Sequence, residues 1–209
     1  IVEKYGHHNI YPSTPMIMQT MNTINQAKKP VIIAGQGCNG YPALLRLFAL
    51  RANIPVTTTI HAMGVYDETL LSSLEFLGMH GNVAANYAVQ NADLIIALGT
   101  RFDDRTTGEI SNYAPEALQA YKEGRGGIIH VNINEHEMLN VVDSHYNFCM
   151  DCGEFLAWMI KYTVYSSRTA WTNQIKQWKD DFPFVCKTEN DDEMKTQTVI
   201  QGINEYLLK

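Results

Sequence analysis

The most constraining feature of the sequence is a short, continuous apolar run, Leu94–Leu98, that breaks at Gly99. Two arginines and two aspartates follow directly, between Arg101 and Arg105. A strand that is buried on both faces of a parallel sheet is continuously apolar, and ligands of open α/β sheets bind beyond the carboxyl ends of such strands. The run therefore predicts a buried parallel strand with a ligand site at its end.

Segments with the pattern of strands alternate along the chain with segments of helical periodicity. Strands are predicted at 31–34, 56–59, 94–98, 128–133 and 146–149. Helices are predicted from Pro15 and from Pro42, at 82–91, 115–122, 136–142 and 153–162, around Trp171, Ile175 and Trp178, and at 196–208. This alternation predicts an α/β fold with a doubly wound, Rossmann-like and mainly parallel sheet of about six strands and helices on both faces.

Composition excludes several classes of function. The 209 residues suffice for one domain with a buried core and tails. A net charge of -6 without a basic stripe argues against nucleic-acid binding, and no segment has the pattern of a membrane span or a signal peptide. Because the chain begins at Ile1, we expect a processed or truncated start. Four irregularly spaced cysteines indicate a reducing compartment rather than a disulfide framework.

A glycine-rich loop follows the first predicted strand. Its residues, Gly35-Gln36-Gly37-Cys38-Asn39-Gly40, match the pattern G-x-G-x-x-G. Such glycines bring backbone amides close to a pyrophosphate, or form only a tight turn that packs a helix against a strand. The NAD-binding pattern also requires an acidic residue at the end of the second strand, but residues 57–60 are Thr-Thr-Thr-Ile. The sequence therefore disfavours NAD and leaves both interpretations of the glycines open.

The charged loop at 101–105 also allows two interpretations. Its guanidinium groups suit an anion, with the neighbouring carboxylates fixing their orientation. Alternatively, the four charges form a solvated ion-pair cluster. Other chemistries have weaker support: Cys149-x-x-Cys152 matches a thioredoxin-like pair, and the histidines lack the spacing of metal ligands.

Two segments resemble a known family. Residues 94–105 resemble the GARFDDRVTG segment of the acetolactate (acetohydroxyacid) synthases, and Leu77-Gly78-Met79-His80-Gly81 resembles their LGMHG loop. The similarity extends from about Met18 to Gln201 and is closer to the fungal forms. These are thiamine-diphosphate enzymes of three domains, and the chain resembles the central domain of their catalytic subunit.

The resemblance implies a division of the chain. We expect a linker at 1–14, a central FAD- or nucleotide-binding α/β domain at 15–163, a helical linker at 164–195, and the truncated start of the C-terminal thiamine-diphosphate domain at 196–209. The family's thiamine site uses a glutamate of the preceding domain and a Gly-Asp-Gly signature of the following one, and this sequence contains no Gly-Asp dipeptide. We therefore expect that the chain alone contains no catalytic residue, does not bind thiamine diphosphate and is inactive.

The resemblance further implies an FAD molecule that extends across the carboxyl ends of the strands in a structural role. The residues that would bind it are Gly35, Gln36, Gly37, Thr59, Ile60, Leu77, Gly78, Met79, His80, Gly99, Thr100, Arg101, Asp103, Arg105, Thr106, Asn132, Ile133 and Asp151. Met79, Asp104 and Arg105 would bind substrate, with Arg105 facing the second 2-oxoacid. Thiamine diphosphate and Mg²⁺ are expected only in the full-length enzyme, and no metal ligand is expected in this chain.

The resemblance also implies the activity and the partners of a full-length enzyme. It would condense pyruvate with pyruvate or 2-oxobutyrate, with decarboxylation, in branched-chain amino-acid biosynthesis. We expect a homodimer or tetramer, a regulatory subunit as a further candidate partner, and no nucleic-acid or membrane partner. The compartment would be mitochondrial for a fungal-type source and cytoplasmic otherwise. Two alternatives stay open: a non-catalytic nucleotide-binding or interaction domain derived from this family, and the central domain of a related decarboxylase that holds ADP or nothing.

The chain departs from the family pattern at several ligand positions. Asn132 replaces an acidic residue that meets the adenosine half of FAD, and Met150-Asp151-Cys152 replaces Gly-Asp-Ala. Thr100 and Thr106 replace Ala and Val, and Glu137 replaces Asn. These changes bear on FAD affinity more than on fold. Restoring the pattern with Asn132→Glu and Met150→Gly is therefore predicted to tighten FAD binding.

Overall fold

The computed structural model describes residues 12–183 and 195–207, so the linker predicted at 1–14 lies almost wholly outside the described residues. A sheet of six parallel strands forms the centre of the fold. The strands are β1 Pro30–Ala34, β2 Val56–Thr58, β3 Ser73–Phe76, β4 Leu94–Leu98, β5 Gly127–Asn132 and β6 Tyr146–Cys149. They follow the order β3-β2-β1-β4-β5-β6, in which Ile32 of β1 pairs with Val56 on one side and Ile96 on the other. This is the strand order of a doubly wound sheet whose winding direction reverses between β1 and β4.

Helices cover both faces of the sheet, which confirms the predicted fold class. The helices of the structure are α1 Thr14–Gln26, α2 Pro42–Ala52, α3 Val83–Asn91, α4 Asp104–Thr107, α5 Pro115–Lys122, α6 Cys152–Tyr162, α7 Thr169–Asp181 and α8 Thr196–Leu207, of which α8 has no buried residue. Successive residues of a strand point to opposite faces. Ile32 packs in the layer formed with α1, α2 and α6, and Ile33 packs in the layer formed with α3, α5 and α7. Every residue of β1 and β4 is buried, as their continuous apolar sequences require.

Three elements differ from the sequence-based predictions. The helix predicted at 136–142 is wrong: the structure has only a short 3-10 turn, Glu135–Glu137, in this region. Val142 is buried as a loop residue, so the apolar spacing there reflects loop packing. β3 was not predicted because it is short. Its register with β2 is irregular, and Glu75 within it has φ +59°. The single turn of α4 was also not predicted.

Part of the segment predicted as a helical linker, Thr169–Asp181, contributes to the packing. α7 lies against α3 and buries Trp171 and Ile175 in the same layer of the core. The proposed boundaries between domain and linkers remain predictions. Among the described residues, no helix is long and apolar enough to cross a membrane.

Candidate functional site

A cavity of about 1130 Å³ lies at the carboxyl ends of the strands, across the point where the winding of the sheet reverses. Of the predicted site residues it is lined by Gln36, Gly37, Thr59, Ile60, Leu77, Met79, His80, Gly99, Thr100, Arg101, Asp103, Asp104, Arg105, Thr106, Asn132, Ile133 and Asp151. Gly35 and Gly78 were predicted but do not line it. The structure thus brings all but two of the predicted residues to one cavity.

The glycine loop is held against the loop that follows β4. A Cβ on Gly35 would overlap the Gly99 carbonyl group, and a Cβ on Gly37 would lie 2.8 Å from the Gly99 Cα. The Gly37 N–H donates to the Gly99 carbonyl at 3.2 Å, and Gly99 itself has φ +60°. The close contact between the two loops is therefore sufficient to explain why residue 35 is a glycine, in agreement with the tight-turn interpretation. Gly37 serves this contact and also lines the cavity.

The Leu77–Gly81 loop is joined to the backbone of Arg105. Gly78 has φ +106°, and a Cβ there would lie 2.5 Å from the Arg105 carbonyl oxygen. The N–H of Met79 donates to the same oxygen at 2.9 Å. Gly78 is therefore required for the approach of the two loops. Met79, which is 73% exposed, stands beside Arg105 at the cavity wall.

The loop after β4 is anchored by one buried aromatic residue. Phe102 is buried at φ +55° and packs edge-on against His130 and Tyr113. Because Phe102 points inward, its neighbours Arg101 and Asp103 lie exposed at the cavity. The burial of Phe102 thus orients the charged side chains of Arg101 and Asp103 toward the cavity.

Among the described residues, the carboxylates of this loop form no ion pair with its arginines, so they neither fix the orientation of the guanidinium groups nor form the ion-pair cluster that the sequence also allowed. Asp103 accepts the N–H of Thr106 at 2.9 Å as the N-cap of α4, and Asp104 accepts the N–H of Arg105 at 3.0 Å. Within residues 12–183 and 195–207, neither Arg101 nor Arg105 forms an ion pair. The solvated ion-pair cluster is therefore not what these residues form, and both guanidinium groups can bind an anion.

Two side chains of β5 hold the carbonyl group of Thr100. His130 Nε2 lies 2.9 Å from this oxygen, and Asn132 Nδ2 donates to it at 3.0 Å. Since a carbonyl oxygen only accepts, the proton of His130 is assigned to Nε2. Burial lowers the pKa of His130 below its usual value. The Oδ1 of Asn132 accepts the N–H of Asn134 at 3.0 Å, so both ends of this amide are bound to backbone.

The residues after β6 have structural contacts of their own. Asp151 caps α6 by accepting the N–H groups of Gly153 at 2.7 Å and Glu154 at 3.3 Å. A hydrogen bond to Asp151 raises the pKa of Tyr41. Met150 is 4% exposed, packs into the core layer of α1, α2 and α6, and does not line the cavity. A methionine in place of glycine at 150 therefore does not narrow the site.

The thiols near the site are not reactive ones. A hydrogen bond with Cys38, together with burial, raises the pKa of Cys152, and burial raises the pKa of Cys149. Reactive cysteines have a lowered pKa and are accessible, so these properties argue against a thioredoxin-like function. In the part of the chain that the structure describes, no cluster of His, Cys, Asp or Glu side chains is arranged to hold a metal ion.

Several lining residues were not among the predicted set. They are His61, Phe76, Asn134, Glu135, His136, Glu137, Cys149 and Cys152. All of them lie at or shortly after the carboxyl ends of β2, β3, β5 and β6. The rule that ligands bind beyond the carboxyl ends of parallel strands would have identified most of them.

The strand order, with a cavity at the reversal point, defines a doubly wound, Rossmann-like α/β domain. Residues 17–159 match the family described as "Thiamine pyrophosphate enzyme, central domain", and the chain belongs to this family. The recognition made from the two sequence segments is thereby confirmed.

Curated relatives are acetolactate synthases. The chain is 44% identical over 197 residues to the mitochondrial acetolactate synthase catalytic subunit of Saccharomyces cerevisiae, which covers 90% of this chain and 29% of the relative. It is 43% identical over 198 residues to the mitochondrial acetolactate synthase of Schizosaccharomyces pombe, covering 91% and 30%. It is 36% identical over 200 residues to the chloroplastic acetolactate synthase 1 of Zea mays, covering 93% and 30%. The chain thus spans less than a third of the length of these relatives.

Proposed function

We propose that this chain is the FAD-binding central domain of an acetolactate synthase catalytic subunit. The observation that carries the proposal is the cavity wall at the reversal point of the sheet, which is lined by Met79 and by two arginines, Arg101 and Arg105, that form no ion pair among the described residues. The identity to fungal acetolactate synthases supports it.

The residues present fit a flavin dinucleotide. The cavity exceeds the range of about 300–1,000 Å³ that is common for small-molecule sites, so it accommodates a long ligand. Exposed guanidinium groups suit the charged parts of the cofactor, and apolar residues such as Ile60 and Ile133 suit a planar ring. By the resemblance, the isoalloxazine ring takes the end with Met79 and Arg105, and the adenosine takes the end with Asn132 and Asp151.

In the full-length enzyme the two 2-oxoacids are condensed with decarboxylation. Thiamine diphosphate with Mg²⁺, held by other domains, supplies the carbanion chemistry, and FAD has no net redox role. The guanidinium of Arg105 pairs with the carboxylate of the second 2-oxoacid, and Met79 and Asp104 border its approach. The chain alone, given all three cofactors, is expected to form no acetolactate.

The names of the relatives support the proposed compartment, and the family resemblance supports the proposed assembly. The fungal relatives are named mitochondrial and the maize relative chloroplastic. We propose a mitochondrial protein for a fungal-type source, in a homodimer or tetramer that also binds a regulatory subunit.

The test is a titration of the 209-residue chain with FAD and, separately, ADP, followed by flavin fluorescence and by calorimetry. FAD is expected to bind saturably and at least about tenfold tighter than ADP. The flavin half of FAD can accept a hydrogen bond from a guanidinium group of the cavity wall, and one hydrogen bond to a charged group contributes about 1.5–3 kcal/mol. Equal affinities would overturn the proposal in favour of the decarboxylase-type domain. Binding of neither ligand would overturn it in favour of the interaction domain.

A matched pair of variants locates the site. Arg101→Ala is expected to weaken FAD binding by about tenfold or more, since it removes a guanidinium at the cavity. Lys122→Ala is the control, because Lys122 ends α5 in an exposed position away from the cavity. Equal affinities of the two variants would contradict the assignment of Arg101.

A further inference from the structure

α3 carries a row of three side-chain amides, Asn82, Asn86 and Gln90, that recur every four residues. Each of them bonds to a residue outside the helix. Asn82 donates to the Glu75 carboxylate at 3.0 Å, and Gln90 accepts the N–H of Ala114 at 2.9 Å. Residues four apart lie on one face of a helix. One face of α3 is therefore bonded to β3, to the loop after it and to the start of α5.

Asn86 makes the two-point contact of this row. Its Oδ1 accepts the N–H of Gly78 at 3.0 Å, and its Nδ2 donates to the carbonyl of Gly78 at 2.9 Å. The other side of α3 is buried through small residues, Ala84, Ala85 and Ala88 among them. The amide thus has a rigid base, and the position of Gly78 follows that of the helix.

Gly78 connects Asn86 to the cavity wall through its contact with the Arg105 carbonyl. Its Cα faces the Arg105 carbonyl so closely that no side chain fits between them, and Met79 donates its N–H to the same carbonyl. A displacement of Gly78 would therefore move Met79 relative to Arg105. Asn86 does not line the cavity and acts only through these residues.

We propose that Asn86 is a positioning residue that fixes the Met79–Arg105 wall and thereby the fit of the isoalloxazine end of FAD. The inference rests on the proposed FAD-binding function. An amide both donates and accepts, as the two bonds to Gly78 require. Aspartate would keep the acceptor for the Gly78 N–H but would turn a charged oxygen toward the Gly78 carbonyl oxygen.

The test compares Asn86→Asp with Asn91→Asp on the same helix, where Asn91 makes one exposed bond to the Tyr87 carbonyl. Affinities for FAD and ADP are measured on each variant. Asn86→Asp is expected to weaken FAD binding by about tenfold and leave ADP binding unchanged, because ADP lacks the ring that meets Met79 and Arg105. Asn91→Asp should change neither. Equal weakening of FAD and ADP, or no weakening of FAD, would overturn the inference.

A second measurement separates this inference from the proposed function. If the unmodified chain binds no FAD, the proposed function fails, and hydrogen exchange of the Met79 amide decides the positioning role. Exchange about tenfold faster in Asn86→Asp than in Asn91→Asp supports it, and equal rates overturn it. Should Asn86→Asp not fold, Asn86→Gln retains both amide functions at a shifted position. It should still weaken FAD selectively against ADP, and an unchanged ratio would overturn the inference.

Discussion

The amino ends of the parallel strands form one edge of the sheet, the amino edge, and their carboxyl ends form the opposite one, the carboxyl edge. Both edges carry arginines and aspartates, but these residues have different partners at the two edges. At the amino edge, Asp93 accepts the N–H groups of Lys28 at 2.8 Å and Lys29 at 2.9 Å and lies 3.8 Å from Arg125. The guanidinium of Arg168 donates to the carbonyls of Ile24, Ala27 and Ala52. A cavity of about 520 Å³ remains at this edge, and the carboxylate of Asp93 and the guanidinium groups of Arg125 and Arg168 that line it are already bound to the protein.

At the carboxyl edge, charges of the same kinds face the larger cavity. The carboxylates of Asp103, Asp104 and Asp151 accept backbone N–H groups, which leaves Arg101 and Arg105 without an ion pair among the described residues. The comparison teaches that a cavity alone does not mark a ligand site in this fold. The comparison supports the proposal that the ligand site lies where guanidinium groups have no partner among the described residues, because an anion can then satisfy them.

The largest loss of stability is expected from a substitution of Arg168 at the amino edge. Arg168, 4% exposed, satisfies three carbonyls near the carboxyl ends of α1 and α2. Arg168→Met removes these donors and should lower the free energy of unfolding by about 4 kcal/mol, as measured with urea. Arg51→Met is the control, since exposed Arg51 makes one such bond, to Thr163, and should cost about 1 kcal/mol. Equal losses in the two variants would contradict the role of Arg168.

A smaller loss of stability is expected from Met150→Gly. Restoring the family's glycine was predicted from the sequence to readmit the ligand, but the side chain of Met150 points into the core. The substitution should lower the free energy of unfolding by about 2–3 kcal/mol and leave the Kd for FAD unchanged. Tighter FAD binding in this variant, measured by fluorescence quenching, would show that the backbone at 150 does restrict the site.

Some elements of the fold and site could be predicted from the sequence, and others could not. β1, β4 and β5 were predicted because continuous apolar runs have one structural explanation, burial in a parallel sheet. The helix at 136–142 was wrong because loop residues such as Val142 also bury apolar side chains. Most of the predicted site residues line one cavity because the carboxyl ends of the strands meet at one edge of the sheet. The contacts of Asn132 could not be predicted, since its partner Thr100 is 32 positions away in the sequence.

An intermediate effect is expected at Asn132. Asn132→Glu, which restores the family's acidic residue, was predicted from the sequence to tighten FAD binding. That prediction was made for Asn132→Glu together with Met150→Gly; for Asn132→Glu alone we expect the opposite, because a carboxylate cannot donate to the Thr100 carbonyl and would shift the loop that carries Arg101. The Kd for FAD should rise by about threefold to tenfold, since one neutral hydrogen bond contributes about 1 kcal/mol. Asn140→Asp in the exposed loop nearby is the control, and a lower Kd in Asn132→Glu would restore the original interpretation.

The smallest effect is expected from pH, at the amino edge of β5. His145 Nδ1 accepts the N–H of Ile128 at 2.9 Å, so this nitrogen must be unprotonated in the fold, and burial lowers the pKa of His145. The unfolded chain therefore binds the proton first as the pH falls below about 6.5. The contribution of His145 to stability is present above that pH and is lost progressively as the pH falls through the range between the unfolded and the folded pKa. In His145→Gln the loss of stability between pH 7 and 5, followed by urea denaturation, should be shallower than in the unmodified chain. His136→Gln, which removes an exposed histidine, is the control, and an unchanged slope in His145→Gln would contradict the assignment.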